Sequence, residues 1–251
     1  MTEERKLKET LLCQPGIASS ASPSCLEDYC RMAEAFANIG GSIAVISDFK
    51  NDCCYIYSGA FGKALNIPAY ARIDSAFEDC IFSAIDPSDL IDRHILELRF
   101  FEFVKTLPVE VRTEYLHSCI LNVTTGGREM SILHHTRYLD FTQDGCVTLG
   151  ICTYNPVGDK RTGEFEGYMF NLNTGESIDV RQIEGIDETI LSRREREVLG
   201  LLSEGFASKQ IADKLHISLN TVYRHRQNIL HHLNVINTAE AVKIGLRMQL
   251  I

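Results

Sequence analysis

The chain has 251 residues, of which 45% are hydrophobic and 24% charged, and its formal net charge is −9. That length suits one large or two ordinary domains, and the composition excludes collagen-like, low-complexity and wholly disordered chains. No apolar run approaches the ~18 residues of a membrane helix, and the mixed-charge start lacks the apolar core of a secretory signal. The expected location is therefore cytoplasmic, with no membrane partner. All nine cysteines precede residue 153 and none forms a Cys-x-x-Cys pair, so reduced thiols are expected. Charge also divides the chain. From Asp187 to Ile251 nine Lys/Arg face seven Asp/Glu, a net of +2, which leaves −11 for residues 1–186.

Residues 1–30 hold a short charged helical segment and then a Gln14-Pro15-Gly16 turn with a Ser/Ala/Pro stretch, the signature of a loose leader. Apolar residues at helical spacing over 27–39 stop at Gly40-Gly41, predicting a helix. Ser42–Ser47 and Cys53–Ser58 read as two strands around a polar turn. Helical segments follow at 61–65 and 76–84. Asp86-Pro87-Ser88-Asp89 then starts a longer helix to about Lys105, with Pro in the first turn. Strands return over 114–123, 129–141 and 146–154, joined by a Thr-Thr-Gly-Gly turn and by Gln143-Asp144-Gly145.

A hairpin, short helices and a meander predict an α+β domain, a five-stranded antiparallel sheet with helices on one face. In element order and in the Asp86-Pro87-Ser88-Asp89-Leu90 turn, residues 40–156 resemble a PAS-type sensor domain. A response-regulator receiver fits badly, because it requires alternating strands and helices and an acidic pair after the first strand, where only Asp48 stands. Gly167–Val180 reads as a further hairpin and Arg181–Ile190 as linker. The expected division is leader and N-terminal helix over 1–39, PAS-like sensor domain over 40–156, hairpin and linker over 157–187, and a DNA-binding domain over 188–251.

The last sixty residues are the most informative. Ser192-Arg-Arg-Glu195 is a capping box, with Val198, Leu201 and Leu202 as the inner stripe of its helix and Gly205 placed to end it. Ser208 can cap a second helix with Ile211, Ala212 and Leu215 facing inward. Asn237-x-x-Glu240 can cap a fourth, with Ala241, Val242, Ile244 and Leu246 for packing. On the third, about 219–233, Val222, His225, Ile229 and Leu233 share one face. The opposite arc, Asn220, Tyr223, Arg224, Gln227, Asn228 and His231, has no aliphatic residue. Any surface helix shows a polar arc. A short helix, a tight turn and a longer polar-faced helix together form the helix-turn-helix arrangement that docks in DNA, and Arg and Gln match guanine and adenine edges.

Leu191-Ser-Arg-Arg-Glu-Arg-Glu-Val-Leu199, Gly205, Lys209-Gln-Ile-Ala212, Asn220-Thr-Val222, His225, Asn228-Ile229, Leu233-Asn-Val235 and Ala239-Glu-Ala-Val242 closely resemble the LuxR-type (GerE-type) DNA-binding domain. The resemblance implies an all-α four-helix domain whose third helix reads the major groove and whose fourth pairs two subunits. It implies base contacts from Tyr223, Arg224 and Gln227, and phosphate contacts from Lys209, Asn220, Thr221 and Arg226. Tyr223 and His232 stand where the family usually has basic residues, which puts the base preference in doubt. The implied partners are double-stranded DNA, a second copy of the chain, RNA polymerase, and a small-molecule ligand of the sensor domain.

His134-His135, with His94 and His117, suggests a metal site only superficially, since neighbours on a strand point to opposite faces. Phosphate loops, nucleophile elbows and zincin motifs are absent from the sequence. No cofactor, metal or catalytic residue is expected, and an enzyme with a DNA-binding appendage is set aside. Two readings stay open: a regulator whose PAS-like domain senses a signal, or one whose N-terminal domain is a ligand-independent interaction and dimerisation module.

Overall fold

The fold is seen in a computed structural model, which describes residues 3–17, 25–161, 167–178, 190–233, 235–248 and 250–251. The Ser/Ala/Pro stretch over 18–24 and the linker over 181–189 lie outside the described residues. Internal contacts separate two units, Lys8–Val180 and Met1–Leu7 with Arg181–Ile251.

In the larger unit, a sheet is built around the hairpin β1 (Ile43–Asp48) and β2 (Cys53–Ser58). Its turn is held by Asp48, whose carboxylate accepts from the backbone and side-chain nitrogens of Asn51. Asp52 takes the left-handed conformation, which Asp tolerates. The long strands β4 (Tyr115–Thr125), β5 (Arg128–Phe141) and β6 (Val147–Asp159) form the meander. Gly126 and Gly127 between β4 and β5 both have positive φ, the requirement of the tight turn that follows the strand twist.

The sheet has eight strands, not five, in the order β3-β2-β1-β6-β5-β4-β7-β8. The added members are β3 (Tyr70–Ile73), paired to β2, and the hairpin of β7 (Gly167–Asn171) with β8 (Ser177–Ile178), whose β7 pairs with β4. β3 escapes sequence reading because it is four residues long and half exposed. β7 and β8 were legible as a hairpin, but their attachment to β4 depends on an edge far away in sequence.

Helices cover both faces, a second correction to the expected layering. α1 (Glu3–Leu12) and α2 (Leu26–Gly40) open the chain, and α2 lays Ala33 and Ala37 on Ala44, Ile46 and Leu149. α3 (Ala60–Ala64) and α4 (Asp79–Phe82) are short. α5 (Pro87–Lys105) starts as expected, Asp86 accepting from Ser88 N and Pro87 in the first turn. It lies on the opposite face, where Arg93 reaches His134 and Cys152. Cys152 pairs with Val45, which alternates with Ala44 and Ile46 along β1.

One close approach joins α2 to the sheet. A Cβ on Gly59 would lie 2.3 Å from Ala37 O and 2.8 Å from Gly41 Cα, distances at which backbone must move. Gly59→Ala should cost ~1–3 kcal/mol or more, read as a lower denaturation midpoint; an unchanged midpoint would refute this packing.

Among the described residues of its C-terminal part, the smaller unit contains four helices, α6 (Arg193–Ser203), α7 (Ser208–Leu215), α8 (Leu219–His232) and α9 (Thr238–Arg247). Val198, Leu199, Ile211, Ala212, Val222, Ile229, Leu233, Ala241 and Ile244 form its core. Leu199, rather than Leu201 and Leu202, is the fully buried leucine of α6, and Leu246 of α9 is exposed. Leu199 packs where Gly245 leaves room, since a Cβ there would lie 2.8 Å from Leu199 Cδ2.

Candidate nucleic-acid interface

Each helix of the smaller unit begins at a local signal. Ser192 Oγ accepts from Glu195 N, and Glu195 Oε2 accepts from Ser192 N at 2.9 Å and from Ser192 Oγ at 2.8 Å. Gly205, at φ +86°, follows the end of α6. α7 is capped differently from the sequence expectation: Ala207 is the N-cap and its N–H donates to Gln210 Oε1, while Ser208 is the first helical residue and buried. His216 ends α7 in the left-handed conformation, and Ser218 caps α8 by accepting from Thr221 N. Asn237 caps α9 by accepting from Glu240 N at 2.9 Å.

These stops and starts leave a three-residue turn, His216–Ser218, between α7 and α8. Val222 and Ile229 are buried on one side of α8, and His225 is half-buried there. On the other side Asn220, Tyr223, Arg224, Gln227 and His231 are all exposed, with Tyr223 48% accessible, while Asn228 is half-buried. At spacings of three, four, seven and eleven residues from Asn220, these five share one stripe. Residues 189–244 match the family model described as "Bacterial regulatory proteins, luxR family". Residues 189–244 form a LuxR-type DNA-binding domain.

Oxygen regulatory protein NreC of Staphylococcus carnosus is 40% identical over 62 residues, which are 25% of this chain and 29% of that protein. NreC of Staphylococcus aureus is 39% identical over the same length. The chain thus covers less than a third of these relatives. Among solved structures, Vibrio cholerae VqmA shares 16% identity over 88% of each chain with a TM-score of 0.28, and Escherichia coli SdiA 15% over 99% of each with 0.26. Both scores lie below the level at which superposition speaks for a shared fold.

Within the LuxR-type domain, the expected base-contacting residues Tyr223, Arg224 and Gln227 lie together on the open arc of α8. Lys209 and Asn220 are exposed near the starts of α7 and α8, and Thr221 is half-buried in the first turn of α8, its hydroxyl 2.8 Å from Ser218 Oγ. Arg226 differs from the rest. Its Nη1 donates to Ser208 Oγ at 2.6 Å and its Nη2 to Thr238 Oγ1 at 2.9 Å, so its guanidinium ties α8 to the first residues of α7 and α9. No sequence signal marks these bonds, because their partners are 18 and 12 residues away.

Glu195 carries a second tie, since His232 Nδ1 lies 3.3 Å from its Oε2. Burial alone would raise the carboxyl's pKa, but His232 and the Ser192 hydrogen bonds outweigh it and bring it from 4.5 to about 2. The folded value lies below the unfolded one, so the stabilisation is complete above pH 4.5 and is lost as the pH falls towards 2. Glu195→Gln should therefore destabilise the domain by ~1–3 kcal/mol at neutral pH. The gap to wild type should close in acid, measured by denaturant unfolding at stepped pH; a pH-independent gap would contradict the assignment.

In the larger unit, His94, His117 and His134 are buried and His135 half-buried. Among the described residues no group of His, Cys, Asp and Glu is arranged to hold a metal ion, and no helix is long and apolar enough to cross a membrane.

Proposed function

We propose that the chain is a transcription regulator that binds a two-half-site operator as a homodimer, and that its PAS-like sheet domain senses a small molecule which modulates that binding. The observation that carries the reading is the aliphatic-free exposed arc of α8 within a LuxR-type domain. Tyr223, Arg224 and Gln227 read base edges. Lys209, Asn220 and Thr221 meet phosphates, Thr221 from the first turn of α8, where free N–H groups favour anions. Arg226 reaches a phosphate only by releasing Ser208 and Thr238. Exposed Leu246 on α9 supports pairing through that helix, and RNA polymerase is the partner of the operator-bound form. The hairpin, the intervening helices and the Asp86-capped α5 before the meander support the PAS-like reading.

Selection of bound fragments from a random DNA pool with the full-length chain tests the proposal, an enriched two-fold motif being expected. Absence of any enriched motif would overturn it. Arg226→Met separates two roles at that position. Loss of its internal bonds should lower stability by ~1–3 kcal/mol and leave the salt dependence of DNA binding unchanged. A salt slope lower by about 1 would instead mark a phosphate contact.

A second reading, a ligand-independent interaction platform, is favoured by Met32, Phe36 and Ile39, exposed at positions 32, 36 and 39 of α2. Thermal stabilisation of the purified chain by a small molecule would decide for sensing.

A further inference from the structure

α5 is buried nearly all round, and its 13 buried residues include Asp89, Asp92, Arg93, His94, Glu97 and Arg99. A helix buried on every side is normally apolar. Two of these, Arg93 and Glu97, line a cavity of about 10 Å³ together with Ser47, Phe49, Phe77 and Glu78. As it stands it has room for about one water molecule.

The charges around this cavity do not balance. Arg93 Nη1 lies 2.8 Å from Glu97 Oε2 and Nη2 3.9 Å from Glu78 Oε1, and all three side chains are 3% exposed or less. Glu78 also accepts from Tyr154 OH. The remaining reach of Arg93 goes to neutral groups, Nε to His134 Nε2 at 3.4 Å and Nη2 to Cys152 Sγ at 3.7 Å. Burial and the Arg93 charge both hold His134 well below its usual pKa, so its ring is neutral. Two carboxylates thus share one guanidinium, and the lining carries a formal charge of −1.

Hydrogen bonding is incomplete in the same place. Despite the short approach, Arg93 Nη1 and Glu97 Oε2 make no hydrogen bond, and the fully buried Tyr138 hydroxyl has no partner among the described residues. Tyr138 pairs with Gly150, which lines the cavity, and its ring lies 6.3 Å from that of Phe49. Buried carboxylates short of counter-charge disfavour an anion and favour a cation. The aromatic walls suit the same sign, and Phe77 already has Lys8 Nζ 5.4 Å from its ring centre.

We infer that this cavity is a binding site for a small nitrogen cation of the primary ammonium type, held between Glu97 and Glu78 against the faces of Phe49 and Phe77. The inference rests on the reading of the sheet domain as a small-molecule sensor and names the chemistry of what it would sense. A cation restores one positive charge per carboxylate. An ammonium group of water-like size enters with little rearrangement, whereas a larger amine must displace Phe49 or Phe77.

The test uses the full chain, with thermal unfolding and calorimetric titration at constant chloride. Probes are methylammonium and benzylammonium, against the neutral methanol and benzyl alcohol and the anions formate and benzoate. At least one ammonium probe should raise the melting temperature where its neutral and anionic counterparts do not. Glu97→Gln and Glu78→Gln each leave one carboxylate for Arg93, so both should fold, and both should bind that probe at least about tenfold more weakly. Equal response to neutral or anionic probes, undiminished binding by the variants, or no response at all, as for a site holding water only, overturns the inference. An ammonium probe that binds as expected without altering affinity for the selected DNA supports the site and refutes the sensing reading. A different molecule that alters DNA affinity while no ammonium probe binds overturns the site and leaves the sensing reading standing.

Discussion

Arg224→Ala is expected to cost ~1–3 kcal/mol of discrimination at one base pair of the operator, about 5- to 150-fold in relative affinity. Arg224 stands in the middle of the exposed arc of α8, and its planar fork matches the two acceptors on a guanine edge. The loss should appear against the cognate pair and vanish against a site already mutated there. Lys209→Ala is the control of opposite character. As a single exposed cation at the start of α7 it should weaken all sequences alike and flatten the salt slope by about 1. Binding isotherms on selected and random duplexes at several salt concentrations measure both. Equal losses on the two duplexes for Arg224→Ala would sink the assignment of α8 as the base-reading helix.

The second large effect belongs to the core of the sheet domain. Arg93→Met should destabilise that unit by ~3–5 kcal/mol, the usual result of leaving buried charge uncompensated. At ~2–4 °C per kcal/mol for a domain of this size, the melting temperature should fall by roughly 6–20 °C. The pH dependence identifies the cause. Burial raises the Glu97 carboxyl pKa, Arg93 opposes that rise and Glu78 adds to it, so removing Arg93 leaves only the upward influences. A carboxyl whose folded pKa lies above its unfolded value withdraws stability as the pH climbs through the folded value. The penalty should therefore be largest at neutral pH and above, and shrink in acid as the carboxyls take up protons. Denaturant unfolding across the pH range tests this, and a penalty independent of pH would mean that lost packing, not stranded charge, sets the cost.

What sequence reading captured well is what a few neighbouring residues decide. The caps at Ser192, Asp86 and Asn237 each use a side chain that bonds two or three residues ahead, so the corresponding helices appear close to where spacing predicts them. Where the cap lacks such a side chain, as at Ala207, the reading slipped by one residue onto Ser208. Helical period also separates the buried Val222 and Ile229 from the exposed Tyr223, Arg224 and Gln227. The pair Arg93–Glu97 shows the opposite case. A spacing of four on a helix is ordinarily that of a surface ion pair, yet both residues are in the core.

By itself the sequence determined the helix-turn-helix, its exposed polar face and the hairpin-to-meander order of the larger unit, because turn, cap and period are short-range properties of the chain. Only the tertiary structure decided that the sheet has eight strands and is covered on both faces, that Arg226 braces two other helices, and that two carboxylates share one guanidinium beside a cavity. Those outcomes depend on which distant segments meet. Burial and charge compensation arise from that meeting, and no local pattern encodes them.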